Sequence, residues 1–272
     1  MKNISFLIVF ISLILISCEE VVDVDLKTGP SRLVVDASIN WIKGTNGSVQ
    51  KIKLTTTTGY YDTTIPVVSG ATVFITNSTN AVFNFTEAPG TGEYACNNFV
   101  PQINETYTLT IINNGETYTA TEKLYGVPDI QNIVQNNNGG FLGDEVEVRF
   151  FFRDNALEKN YYLTRVDTPI IPFPSFGIFD DRFENGNDTF GLFSDEDLKK
   201  GDVLDIKAYG VSERFFNYMA ILLSVSGGGG GGPFQTPPAT VTGNVVNQTN
   251  KSNIALGYFR LSQVSRRSYT IQ

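Results

Sequence analysis

The chain has 272 residues, 20 Lys and Arg against 28 Asp and Glu, a net charge of −8, and no histidine. The acidic balance speaks against nucleic acid and anionic lipid heads as partners, since both are met by basic patches. Without imidazole, Ser-His-Asp and Cys-His nucleophile systems and histidine metal sites are excluded; we expect a non-enzyme with no catalytic residue, no metal and no cofactor.

The first element is an apolar run from Ile4 to Ile16, broken only by Ser5 and Ser12 and preceded by Lys2. It is shorter than the roughly 20 residues that span a bilayer and fits the apolar region of a cleavable export signal. The run ends in Leu15-Ile16-Ser17-Cys18: two apolar residues, a small one and a cysteine. Residues 1–17 are therefore read as a lipoprotein signal peptide, and Cys18 as a thioether-forming cysteine that becomes the mature N-terminus. The acyl chains it carries would anchor the protein by burying methylenes, about 0.8 kcal/mol each. Loss of Lys2 leaves 19 basic side chains against 28 acidic ones, a net charge of −9. With Cys18 consumed by lipid, Cys96 has no partner for an internal disulfide and is expected in the core.

Residues 18–30 read as an acidic tether headed by Glu19-Glu20. Thr, Val, Ile, Tyr and Phe then dominate short alternating segments punctuated by Gly, Asn and Pro, which predicts an all-β fold. Leu33, Val35, Ala37 and Ile39 share one face of the first strand, and 51–55, 71–76 and 82–86 follow. Tyr107 to Ala120 predicts a hairpin turning at Asn114-Gly115 with positive φ at both positions. About seven strands within 31–125 predict an immunoglobulin- or transthyretin-like β-sandwich.

Val127-Pro128-Asp129 marks a boundary, with a second β-rich module at 128–272. Strands are expected at 145–152, 161–166 and 203–211, with an irregular excursion over 167–200. One amphipathic helix is predicted over 212–224, with Ser212 as N-cap and Phe215, Met219 and Leu222 as its apolar stripe. Gly227 to Gly232 read as a loop, and strands over 241–246 and 255–264 close the chain.

Three constellations stand out. Asp180-Asp181, Glu184, Asp188 and Asp195-Glu196-Asp197 are oxygen-rich, but an EF-hand order fails because Phe183 occupies a ligand position after Asp181. Phe173, Phe176, Phe179 and Phe183 lie among Pro169, Pro172 and Pro174. These four rings either anchor a partner or fold back onto the second module's core. Trp41 with Tyr60-Tyr61 is a weaker, sugar-stacking arrangement.

The mature chain also resembles a Bacteroidota outer-membrane lipoprotein family known only as domain of unknown function 4249. The resemblance is carried by Cys18-Glu-Glu-Val-Val-Asp-Val, Leu33-Val-Val-Asp-Ala-Ser-Ile, Gly70-Ala-Thr-Val-Phe-Ile, Gly92-Glu-Tyr94 and Gly115-Glu-Thr-Tyr118-Thr-Ala. Asn160-Tyr-Tyr, Gly243-Asn244 and Leu256-Gly-Tyr-Phe259 continue it. Members are commonly encoded beside TonB-dependent receptors, which implies a non-catalytic partner of such an outer-membrane β-barrel. Glu19 and Glu20 resemble the export signal that carries such lipoproteins to the outer face. The alternative is a free-standing surface protein binding glycan or peptide.

Overall fold

The computed structural model describes residues 29–140, 142–182, 185–226 and 241–272. Its first strands are β1 (Leu33–Ile42), β2 (Gln50–Thr56), β3 (Thr72–Asn77), β4 (Val82–Ala88), β5 (Glu93–Cys96), β6 (Thr106–Asn113) and β7 (Glu116–Tyr125). Each follows the period of two in its sequence. In β1, Leu33, Val35, Ala37 and Ile39 are buried while Asp36 is exposed. The β6–β7 hairpin turns on Asn114 (φ 50°) and Gly115 (φ 78°), with Asn113 opposite Glu116. Cys96 is buried and free.

The rest comprises β8 (Asn132–Gly139), β9 (Glu145–Arg153), β10 (Tyr161–Asp167), β11 (Ser175–Asp180), β12 (Asp188–Asp195) and β13 (Val203–Gly210). Helix α1 (Glu213–Ser226), β14 (Val246–Asn247) and β15 (Leu256–Thr270) complete it. The excursion over 167–200 is thus not irregular. It contributes β11 to the edge of β10 and β12 to β9. Its Phe and Ile residues, scattered to the eye, supply Phe179 and Phe193 to the second core. The closing segment departs the other way, since only Val246–Asn247 of 241–246 pairs as a strand.

The first module is closed by a strand from the far end of the sequence. β15 runs parallel to β1 from Val34↔Leu256 to Ile42↔Val264 and also meets β7 at Leu261↔Leu124. Strand β4 pairs with β3 through Val82–Phe85 and with β5 through Thr86–Ala88, passing from one layer to the other. The order β15-β1-β2-β5-β4-β3-β6-β7 therefore returns on itself. The sandwich has no open edge where β1 and β7 would otherwise end. A division of the chain at 125–128 does not divide the cores: Val245, Ala255, Phe259 and Leu261 belong to the first.

Beyond the sandwich the same sheet continues as β15-β13-β10-β11. One face, with Tyr162, Val166, Leu204, Ile206 and Ala208, packs on Val148, Phe150 and Phe152 of the three-stranded β12-β9-β8 sheet. The opposite face, with Tyr161, Leu163 and Tyr209, packs on Phe215 and Met219 of α1. Among the described residues no helix is long and apolar enough to cross a membrane.

Candidate functional site

Cys18, Glu19, Glu20 and Phe183 lie outside the described residues. The other three expected partner-binding rings do not share one surface. Phe173 is 79 % exposed ahead of β11. Phe176 sits on β11 with the Arg165 guanidinium 5.7 Å from its ring centre. Phe179 turns inward, its ring 5.4 Å from Phe152 and 5.9 Å from Tyr162, and is spent on the second core. Alternation along β11 separates them. Of the acidic residues, Asp180 pairs with Arg182 at 2.8 Å and Asp181 accepts the Asn160 N–H at 2.6 Å. Among the described residues no three His, Cys, Asp or Glu gather as a metal site. Trp41 packs against the first core and donates to the Thr45 carbonyl at 2.8 Å, whereas Tyr60 and Tyr61 stand exposed, edge to face.

One concavity was not foreseen. It is a cleft of about 630 Å³ between α1 and the outer face of the continuous sheet, crossing β11-β10-β13-β15-β1-β2-β5. Its roof is apolar: Phe215, Tyr218, Met219, Leu222 and Leu223 of α1. Its floor is mixed, with Asp36, Ser38 and Asn40 from β1, Arg260 from β15 and Leu163 from β10. Lys51, Lys53 and Glu93 lie at one end of the strand order, Phe176 at the other.

Arg260 is the chemical centre of this floor. It is only 6 % exposed, and its guanidinium donates from Nη1 to Ser262 Oγ (2.6 Å) and from Nη2 to Asn40 Oδ1 (2.9 Å), both neutral. Nε–H has no partner, and the Tyr209 and Phe215 rings lie 4.9 and 5.2 Å away. Burial, which leaves the charge poorly solvated, pulls its pKa below the usual arginine value. Neighbouring cations on the same sheet face are treated differently. Arg165 pairs with Asp167, Lys207 with Asp167 and Asp205, and Arg266 with Asp205. Among the described residues no carboxylate lies within ion-pair distance of Arg260. In the sequence the only sign is a charge inside Tyr258-Phe259-Arg260-Leu261, where alternation sets it on the face of Tyr258.

Roof and floor are tied together by Glu122 of β7. Its carboxylate accepts from Ser212 Oγ (3.0 Å), from Tyr258 Oη (3.2 Å) and from the Lys123 N–H (3.1 Å). Ser212 Oγ in turn accepts the Phe215 N–H at 3.1 Å, capping α1. Burial pushes the Glu122 carboxyl up, against those three hydrogen bonds, which pull it down. With its folded value raised, its contribution is full below the ordinary carboxylate range and is lost as pH rises through the raised value. Glu122→Gln keeps an acceptor without the charge. Its melting temperature relative to wild type is expected to improve as pH is raised from about 4 to about 7; a constant difference would contradict this.

No curated protein matches the chain. Solved structures similar in part include a cytokine receptor complex (TM-score 0.25, 9 % identity, 65 % of this chain and 82 % of that one). A segment of two fibronectin type-III domains from chicken tenascin gives TM-score 0.20 and 10 % identity over 59 % and 83 % of the two chains. Superpositions this loose add nothing to the strand order above. A family model described as a domain of unknown function (DUF4249) matches residues 19–268, nearly the whole length and both modules, and the chain belongs to that family.

Proposed function

We propose that this protein is a lipid-anchored, surface-exposed outer-membrane protein and a non-catalytic accessory subunit of a β-barrel complex of TonB-dependent-receptor type. The lipobox at Cys18 and the absence of histidine support anchoring and binding rather than chemistry. The observation that carries the reading is Phe173. This ring is 79 % exposed while its neighbours Ile170, Ile171 and Phe179 pack on the second core. A large ring held out on a braced segment is the kind of anchor that costs about 2 kcal/mol or more of affinity when truncated, roughly thirtyfold. Phe173→Ser should therefore lose a co-purifying outer-membrane barrel in mild detergent at unchanged melting temperature. Full recovery of the barrel would refute this role for the ring. The second reading, a free-standing ligand-binding surface lipoprotein, draws on the cleft beneath α1.

The anchor carries its own expected result. Cys18→Ala should leave an uncleaved or mislocalised precursor, whereas normal mature mass and membrane retention would contradict lipidation. Replacing Glu19 and Glu20 by Ala should keep the lipid but reduce digestion by protease added to intact cells.

A further inference from the structure

We propose that the cleft beneath α1 binds an amphipathic organic carboxylate, its anionic head on Arg260 and its apolar body against the underside of α1. The inference rests on the cleft alone and does not depend on a barrel partner. A guanidinium carries five N–H donors in a planar fork matched to carboxylate. Here two neutral oxygens and two ring faces meet it, and Nε–H has no partner. No described carboxylate forms an ion pair with it, the Asp36 charge in the same cleft acting on it only from beyond that distance.

A charge so placed is costly unless something completes it. Structural roles for arginine on this face are visible alongside, and each of Arg165, Lys207 and Arg266 has its acid. Arg260, the more buried, has no directly paired acid, and faces a cleft of about 630 Å³, within the usual range of small-molecule sites. The roof sets the remainder of the ligand. Phe215, Met219, Leu222 and Leu223 offer no charge and suit an acyl or aryl body. The head must be an anion, because Ser262, Asn40 and the aromatic faces already serve the guanidinium as neutral partners.

The test is isothermal titration of the mature lipoprotein in lipid nanodiscs, with empty nanodiscs as blank. Octanoate and 3-phenylpropionate are the carboxylate probes, and 1-octanol is the neutral control. One or both carboxylates should bind one to one, and which of them binds tells acyl from aryl. Octanol should bind at least tenfold more weakly than octanoate. Arg260→Met should lose about thirtyfold or more in carboxylate affinity. Leu222→Trp, which fills the cleft and keeps the arginine, should abolish binding and covers the case in which Arg260→Met fails to fold. Equal binding of octanol and octanoate, carboxylate affinity retained in Arg260→Met, or no binding of either carboxylate would each overturn the proposal.

Discussion

Gly257→Ala is expected to destabilise the protein by about 3–5 kcal/mol, among the largest effects of any single methyl group added to it. The residue has φ +86° and sits opposite Val35 where β15 first lies against β1. A Cβ there would stand 2.0 Å from the Val35 carbonyl oxygen, and the next nearest atoms are also Val35 backbone, with no flexible side chain to yield. The left-handed conformation alone costs a non-glycine residue about 1–2 kcal/mol, and the overlap adds to it. Relief requires β15 to part from β1, which reopens the sandwich edge and lifts the floor of the cleft together. Equilibrium urea denaturation measures this; a loss below about 1 kcal/mol would mean that β15 is not held in the register described.

Asn244→Ala is expected to cost about 2–5 kcal/mol. The side chain is 2 % exposed and acts as a strand would: Nδ2 donates to the Phe259 carbonyl at 2.7 Å and Oδ1 accepts the Phe259 N–H at 2.8 Å. Removing the amide strands two buried backbone groups at about 1–3 kcal/mol each, and no local rearrangement supplies both partners. This explains why 241–246 reads as a strand yet hardly pairs as one. Asn244 and Gly257 hold the same stretch of β15, so the double variant should cost less than the two single losses combined. Strict additivity in the same denaturation series would show that the two contacts act independently.

Much of the architecture was legible because period-two alternation is written plainly in the first module. Leu33, Val35, Ala37 and Ile39 name the inner face of β1, and Asn114-Gly115 names the hairpin. Ser212 marks the helix start for an equally local reason, its hydroxyl being the cap. The closure of the sandwich was not legible. Parallel pairing of residues 34–42 with 256–264 leaves no local mark, and a strand that serves two modules looks like a strand that serves one. β11 and β12 were hidden because Pro172, Pro174 and a run of Phe read as loop, although alternation turns Phe179 inward and leaves Phe176 at the surface. The cleft was the least legible of all. Its residues come from seven strands and a helix, and Arg260 gains meaning only when α1 is laid over it and the nearby acids are seen to be engaged elsewhere.

The most direct test of the accessory role is site-specific photo-crosslinking from position 173 in living cells. A photoreactive phenylalanine analogue replaces Phe173 and nothing else, so the fold is unchanged and only the neighbour of that ring is recorded. The expected result is a single high-mass adduct whose partner is an outer-membrane β-barrel of TonB-dependent-receptor type, absent when the analogue is placed at the buried Phe150. A surface-exposed, correctly lipidated protein that gives no such adduct at position 173 would contradict the role proposed for it.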